Sequence, residues 1–259
     1  MKDQAARKRA RGLDRAFDIL DHLRSVKRPQ RPNEIAHALG APKSTIYELV
    51  GSLVAHGMLE NVDSQGNVFL GRRLYFLGLA YQQQFDLARE ADALLKEITA
   101  TTSETSQFCV LDGDKYNVAM MCEGSRPFRI SADVGERTPI PWTASGRLLV
   151  GDMSDDEILA FIPAGDFVLP GGEPVDQNKF LEEVRSARRE GFFSFDSVVD
   201  TFTHCLAAPV KDETGRCVAT LCIVAPKEDA RSHYDVYRKV LIDAGRKLSD
   251  SMGGQVILA

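Results

Sequence analysis

Five side chains suited to reading a polar surface, Lys43, Ser44, Thr45, Tyr47 and Glu48, open the segment KSTIYELVGSLVA. Ile46, Leu49, Val50, Leu53 and Val54 follow at helical spacing and give that segment one apolar side. An ordinary amphipathic helix spreads its polar residues along the whole outer face. Here they crowd the N-terminal end, where backbone N–H groups also lack intrahelical partners. A lysine and two hydroxyls suit phosphates or base edges, and a tyrosine adds stacking or a phosphate hydrogen bond. A carboxylate repels phosphate and serves mainly to accept from cytosine N4; that role for Glu48 stands beside a simple exposed helix pair.

A second constellation is PWTASGR, residues 141–147. Thr143 is placed to cap a helix. The N–H groups of Ala144, Ser145 and Gly146 would then lie at its N-terminus, where the helix dipole favours an anion such as a carboxylate. The same residues would also serve as a plain capped helix packed under a sheet. A third pair, His204 and Cys205, suggests a base beside a nucleophile. Neighbours on a strand point to opposite faces, so the two would not meet, and Cys217 and Cys222, an odd number apart, would diverge likewise.

The five cysteines contain no C-x-x-C pair and the five histidines show no ligand spacing. Neither a disulfide framework, a metal nor a cofactor is expected, and the thiols read as small buried hydrophobes. LPGGEP lacks the Lys-Ser/Thr of a phosphate loop.

The 259 residues, 44% hydrophobic and 27% charged, suit two modest globular domains. The apolar run Leu221 to Ala225 falls far short of the roughly 18 residues of a membrane span. MKDQAARKRARG has no apolar stretch behind its charges, so a cytoplasmic protein is expected. The net charge of -5 hides an asymmetry: residues 1–73 carry 13 Lys/Arg against 8 Asp/Glu, the remainder 19 against 29. A basic front joined to an acidic body implies a nucleic-acid partner for the front alone.

These residues need elements to hold them. LDRAFDILDHL places Leu13, Ala16, Phe17, Leu20 and Leu23 at helical spacing. The polar stretch 27–31 breaks it, and PNEIAHALG gives a short helix closed by Gly40. Pro42 then suits the first turn of the helix at Lys43. Two short helices about a tight Gly-containing turn match a helix-turn-helix, whose second helix reads the major groove with its N-terminal residues. MLEN and NVFL flank VDSQG as a hairpin wing. Residues 73–102 read as a linker helix followed by a longer one, or as one continuous helix. Beyond them strands alternate with helices at about 145–153, 155–161, 176–190 and 234–252, an α+β domain on an antiparallel sheet.

Taken with VGERTPIPWTASGRLLV, FLGRRLYFLG and EVRSARREGF…HCLAAPVKDETGRCVATLCI, these motifs make the chain resemble the IclR family of bacterial transcriptional regulators from about residue 12 to 252. The resemblance implies a winged helix-turn-helix over 12–72, a linker helix over 73–88 and a GAF-like effector-binding and oligomerisation domain over 89–259. A basic disordered arm, 1–11, would precede them. It also implies a homodimer or dimer of dimers on double-stranded operator DNA. Arg9 and Arg11 in the arm, and Arg31, join the five residues of the recognition helix as candidate DNA contacts. Many relatives have a basic residue at Glu48.

Positions matching the family's effector pocket are Ile130, Thr138, Phe195, Thr203, Cys205, Cys222 and Val224, with Trp142, Ala144, Ser145 and Gly146 from the second constellation. Phe195 stands where relatives commonly have aspartate, Cys222 and Val224 where many have serine, and Trp142 replaces a small residue. A pocket that loses an acid and two hydroxyls and gains two aromatics rewards apolar ligand surface. The expected effector is an aromatic or hydrophobic carboxylate rather than a two- or three-carbon keto acid. The function expected is a non-enzymatic regulator, repressor or activator, whose operator affinity such an acid modulates. A ligand-independent regulator with a closed pocket, and a cysteine enzyme on the same scaffold, are the alternatives.

Overall fold

The computed structural model describes the backbone of residues 2–84, 86–126 and 134–252 and the side chains of residues 12–80, 87–126 and 134–251. The chain divides into two compact units, residues 1–84 and 85–259.

In the first unit, helix α1 (Lys2–Val26) is followed by α2 (Pro32–Ala38) and α3 (Lys43–Ala55). The stretch expected as a disordered arm instead continues α1 from Lys2. Its Ala, Arg, Lys and Gln favour helix and no proline interrupts them. The side chains of Arg9 and Arg11 lie outside the described residues. Pro32 sits in the first turn of α2, where its missing N–H costs nothing. Gly40 adopts φ +56°, which lets the chain turn sharply into α3. Ile19 and Leu23 of α1, Ile35 and Ala36 of α2 and Ile46 and Val50 of α3 bury together with Leu59 and Val68.

Those last two residues belong to strands β1 (Leu59–Asn61) and β2 (Val68–Leu70), an antiparallel pair. The turn between them is built on Asp63, whose Oδ1 accepts from the N–H groups of Gln65 and Asn67 at 2.9 and 3.1 Å. Helix α4 (Arg72–Gln84) completes the unit. Gly71 leads into it, and there a Cβ would lie 2.4 Å from the Gly57 carbonyl oxygen, so only glycine permits this close passage. The linker helix expected over 73–88 is thus α4 and ends four residues sooner, residues 86–88 already belonging to the next helix.

The second unit begins with α5 (Asp86–Thr102). Its sheet is six-stranded and antiparallel, in the order β5-β4-β3-β8-β7-β6. The strands are β3 (Thr105–Asp112), β4 (Lys115–Cys122), β5 (Arg137–Pro139), β6 (Phe193–Asp196), β7 (Thr203–Lys211) and β8 (Cys217–Pro226). Helices α6 (Ala144–Leu149), α7 (Asp155–Phe161) and α8 (Gln177–Glu190) lie between β5 and β6 in sequence, and α9 (Lys227–Ser232) and α10 (Tyr234–Met252) follow β8.

Strand periodicity sorts the core into two layers. Phe108, Leu221 and Ile223 face α5 and α10 and bury against Leu95, Ile98, Leu241 and Leu248. Cys109, Val118 and Cys222 face the other way, against Ile140, Leu148, Ile158, Phe180 and Val184. The result is a sheet with helices on both faces, in an α+β chain whose first unit is a winged helix-turn-helix. One parity expectation fails. Val210 pairs with Ala219 and Lys211 with Cys217, so Val218 is an extra residue on β8. Such a bulge resets the alternation, and Cys217 packs on the same side as Cys222. Among the described residues no helix is long and apolar enough to cross a membrane.

Candidate functional site

Two sets of candidate residues exist, one in each unit. In the first, α3 is capped by Pro42, whose carbonyl accepts from Ile46 N at 3.2 Å and whose side chain offers no cap. The first N–H groups of α3 therefore face outward without a side-chain acceptor. Ile46 and Val50 anchor the inner side, so Lys43, Ser44, Tyr47 and Glu48 are exposed while Thr45 is half-buried. Tyr47 shows 54% of its surface, which leaves its ring and hydroxyl open to a partner. Arg31 engages the wing: its Nη2 donates to Gln65 Oε1 at 2.8 Å and ties the start of α2 to the wing turn.

In the second unit a cavity of about 180 Å³ opens between the sheet and the corner that carries α6. Thr138, Trp142, Ala144, Ser145, Thr203, Cys205, Cys222 and Val224 all line it. Three other expected members do not join them. Gly146 spends its N–H on the Thr143 hydroxyl, 2.9 Å away, and does not face the cavity. Phe195 pairs with Cys205 across β6 and β7, but at the sheet edge its ring covers the Arg147 guanidinium at 4.5 Å. Ile130 lies outside the described residues, as do the flanking positions 127–133.

Several wall residues were not singled out in the sequence: Gln107, Tyr116, Val118, Glu136, Ser197, Val199 and Asp200. Gln107 lies directly opposite Cys222 in the β3–β8 register and shares its face, a neighbour that only the strand order reveals.

The polar groups of the cavity are mostly engaged. Gln107 Oε1 accepts from Tyr116 OH at 3.2 Å and from the Cys222 thiol at 3.3 Å, and Cys109 Sγ lies 3.0 Å from the same Tyr116 hydroxyl. Trp142 donates its indole N–H to the Asp166 carbonyl at 3.0 Å, which fixes the ring as a rigid wall. Burial disfavours the charge of Asp200. Hydrogen bonds from the Thr203 and Ser197 hydroxyls and the N–H groups of Phe202 and Thr203 outweigh it and hold its carboxyl below the usual range. That charge is satisfied by its own loop. Ser145 Oγ is the exception: it is buried with no well-formed hydrogen bond, beside the Cys222 thiol.

Three of the five thiols are poor nucleophiles. Burial raises the Cys205 pKa far above that of a free thiol. A hydrogen bond with Cys109, and then burial, does the same for Cys222, and burial pushes Cys217 up to about 12. The His204 ring turns away to bond Asp196 at 2.8 Å, so no base reaches Cys205 from that side. Among the described residues no cluster of three His, Cys, Asp or Glu side chains is placed to hold a metal ion.

Comparison with known proteins agrees with this geometry. Residues 12–63 match the IclR helix-turn-helix domain, and residues 79–250 match the bacterial transcriptional regulator IclR C-terminal domain. The chain is 24% identical over 245 residues to the HTH-type transcriptional regulator XynR of Escherichia coli, covering 93% of this chain and 96% of that one. It is 23% identical over 258 residues to the transcriptional repressor AllR of the same species, with 97% and 93% covered.

Among solved structures, an IclR transcriptional regulator from Silicibacter superposes with a TM-score of 0.82 at 19% identity, covering 95% and 98% of the two chains. An IclR homologue from Microbacterium hydrocarbonoxydans, complexed with 4-hydroxybenzoate, superposes with a TM-score of 0.80 at 22% identity, covering 94% and 100%. With both its DNA-reading unit and its sheet unit matched, this chain belongs to the IclR family of bacterial transcriptional regulators.

Proposed function

We propose that this regulator binds operator DNA through the start of α3 and changes its affinity when a single-ring aromatic or hydrophobic carboxylate fills the cavity beside Trp142. The observation that carries the reading is the cavity itself. An apolar cavity of about 150 Å³ accepts benzene, so about 180 Å³ has room for one ring and a small polar group. Trp142, Val118, Val199 and Val224 supply apolar wall, rewarded at about 25 cal/mol per Å² of ligand surface covered. Ser145 and the first N–H groups of α6 supply the polar end. The 4-hydroxybenzoate complex of the Microbacterium homologue supports a ligand of this size. An open cavity disfavours a ligand-independent regulator, and protonated thiols disfavour a cysteine enzyme.

On the DNA side, Lys43, Ser44, Thr45 and Tyr47 contact the major groove and its phosphates, with Glu48 reading a base. Arg31 steadies the wing. A second copy of the chain completes the operator-binding form. Tyr75, Phe76 and Leu77 on α4 stay 65%, 60% and 52% exposed, and Leu13 and Phe17 on α1 are more than half exposed, apolar area that self-association would cover. Such a protein works in the cytoplasm, with the chromosome.

Trp142 is the sole tryptophan of the chain, which makes the reading directly testable. Titrating the full-length protein with benzoate, 4-hydroxybenzoate and pyruvate should give a saturable change in tryptophan emission with an aromatic acid, and no change with pyruvate at the same concentration. Silence with every aromatic acid tried, or tighter binding of pyruvate, would overturn the proposal.

A further inference from the structure

The cavity presents no lysine or arginine on its surface among the described residues, and Glu136 and Asp200 stand in its wall, yet the ligand proposed for it is an anion, so a positive charge must offset them. A cation does lie behind one wall. Arg147 is 3% exposed, and its side chain reaches back under the corner that carries Trp142, Thr143 and Ala144. Its Nη1 donates to the carbonyl oxygens of Thr143 at 2.7 Å and Pro141 at 3.1 Å. Its Nε and Nη2 both reach Glu183 Oε2 at 2.8 Å. The rings of Phe180, Phe193 and Phe195 surround the guanidinium at 5.0, 5.1 and 4.5 Å.

Burial pulls the Arg147 pKa down, while Glu183 pulls it up. A guanidinium begins so high that it stays charged, and three aromatic faces favour that charge. Its field reaches the Cys205 thiol in the cavity wall and acts to lower it, against the larger raising effects of burial, Cys222 and the Asp200 carboxylate.

The pair is also oriented. The Arg147 side chain is 4% exposed and that of Glu183 23%, with Lys179 a further 3.9 Å from Glu183. The negative end therefore sits toward water, where it is better screened, and the positive end sits in the dry interior against the wall.

We infer that Arg147 sets the charge preference of the cavity, favouring an anionic ligand through the Thr143–Ser145 wall without touching it. The inference rests on the ligand reading proposed above and adds a residue that determines ligand charge. A group that merely braced the wall would weaken acid and neutral ligands alike. A group acting by charge discriminates between them.

The test compares 4-hydroxybenzoate with 4-hydroxybenzamide, nearly the same shape without the charge, by Trp142 emission in full-length protein. In R147M, which keeps apolar bulk among the three rings, the ratio of acid to amide affinity should fall about tenfold. In E183Q, which removes the opposing charge, the ratio should rise about threefold. An unchanged ratio in R147M, with both ligands weakened equally, would overturn the inference and leave the ligand reading standing. Should R147M fail to fold, E183Q decides: a raised ratio supports the inference and an unchanged one overturns it. If the wild type binds neither compound, the ligand reading falls first and this inference with it.

Discussion

Gly146→Ala is expected to lower the melting temperature of the second unit by roughly 6–12 °C, although the change adds one methyl group. A Cβ at this position would stand 2.2 Å from the Ile140 carbonyl oxygen and 2.9 Å from both Ile140 Cγ2 and Thr143 Oγ1. The first of these is backbone and cannot rotate aside. Ile140 is itself fully buried, so the corner can relax only by moving the start of α6 off the sheet. Overpacking of this kind costs about 3 kcal/mol, and about 2–4 °C accompany each kcal/mol in a unit of this size. Trp142 emission should shift with it, since Trp142 and Thr143 share the corner. Gly165→Ala is the matched control, because nothing stands within 4 Å of its Cβ, and it should leave the transition in place. A melting temperature for Gly146→Ala within a degree of wild type would show that the corner is not held as described.

Joint replacement of Lys43 and Tyr47 by alanine should weaken operator binding by on the order of a thousandfold or more while leaving the melting temperature unchanged. Each base or phosphate contact is worth about 1–3 kcal/mol, and a dimer on a two-fold operator loses each contact twice. Both side chains are exposed and the inner side of α3 is held by Ile46 and Val50, so folding does not depend on them. The remaining affinity should also depend less steeply on salt, because a phosphate contact is lost in each half-site. Binding is measured by fluorescence anisotropy on an operator selected from random-sequence DNA. Retained affinity in the double variant would move DNA reading away from the start of α3.

Much of the DNA-reading unit was legible because its signals are local. Ile46 and Val50 show the buried side of α3 by spacing alone, Gly40 marks the turn, and Gly66 marks the wing. Beyond residue 105 the long strands were legible as short apolar runs broken by turn residues. Short elements carried no such signal: β6 has four residues and α9 six, too few for a period to declare itself.

The cavity shows where one-dimensional reading stops. Cys205, Cys222 and Val224 were placed by resemblance to the family and Thr143 by its fit to a helix cap, and all four line the cavity. Gln107 and Tyr116 become visible only once β3 is known to lie between β4 and β8, which is a fact of topology. Phe195 has the parity of a cavity residue, but a sheet edge offers a second neighbour, and Arg147 takes its ring. Gly146 was read for its N–H group. Its place is set by space, which no sequence spacing encodes.

The central claim is that ligand in the cavity and DNA on the first unit are energetically linked, and linkage is reciprocal. The most direct measurement is the midpoint of the Trp142 titration by an aromatic acid, taken with and without saturating operator DNA at fixed salt. A coupled regulator should show the midpoint displaced by at least about fivefold, in either direction, with the displacement absent for DNA lacking the operator. The same midpoint with and without operator DNA would contradict the account, leaving a cavity that binds an acid and a helix that binds DNA with no regulation between them.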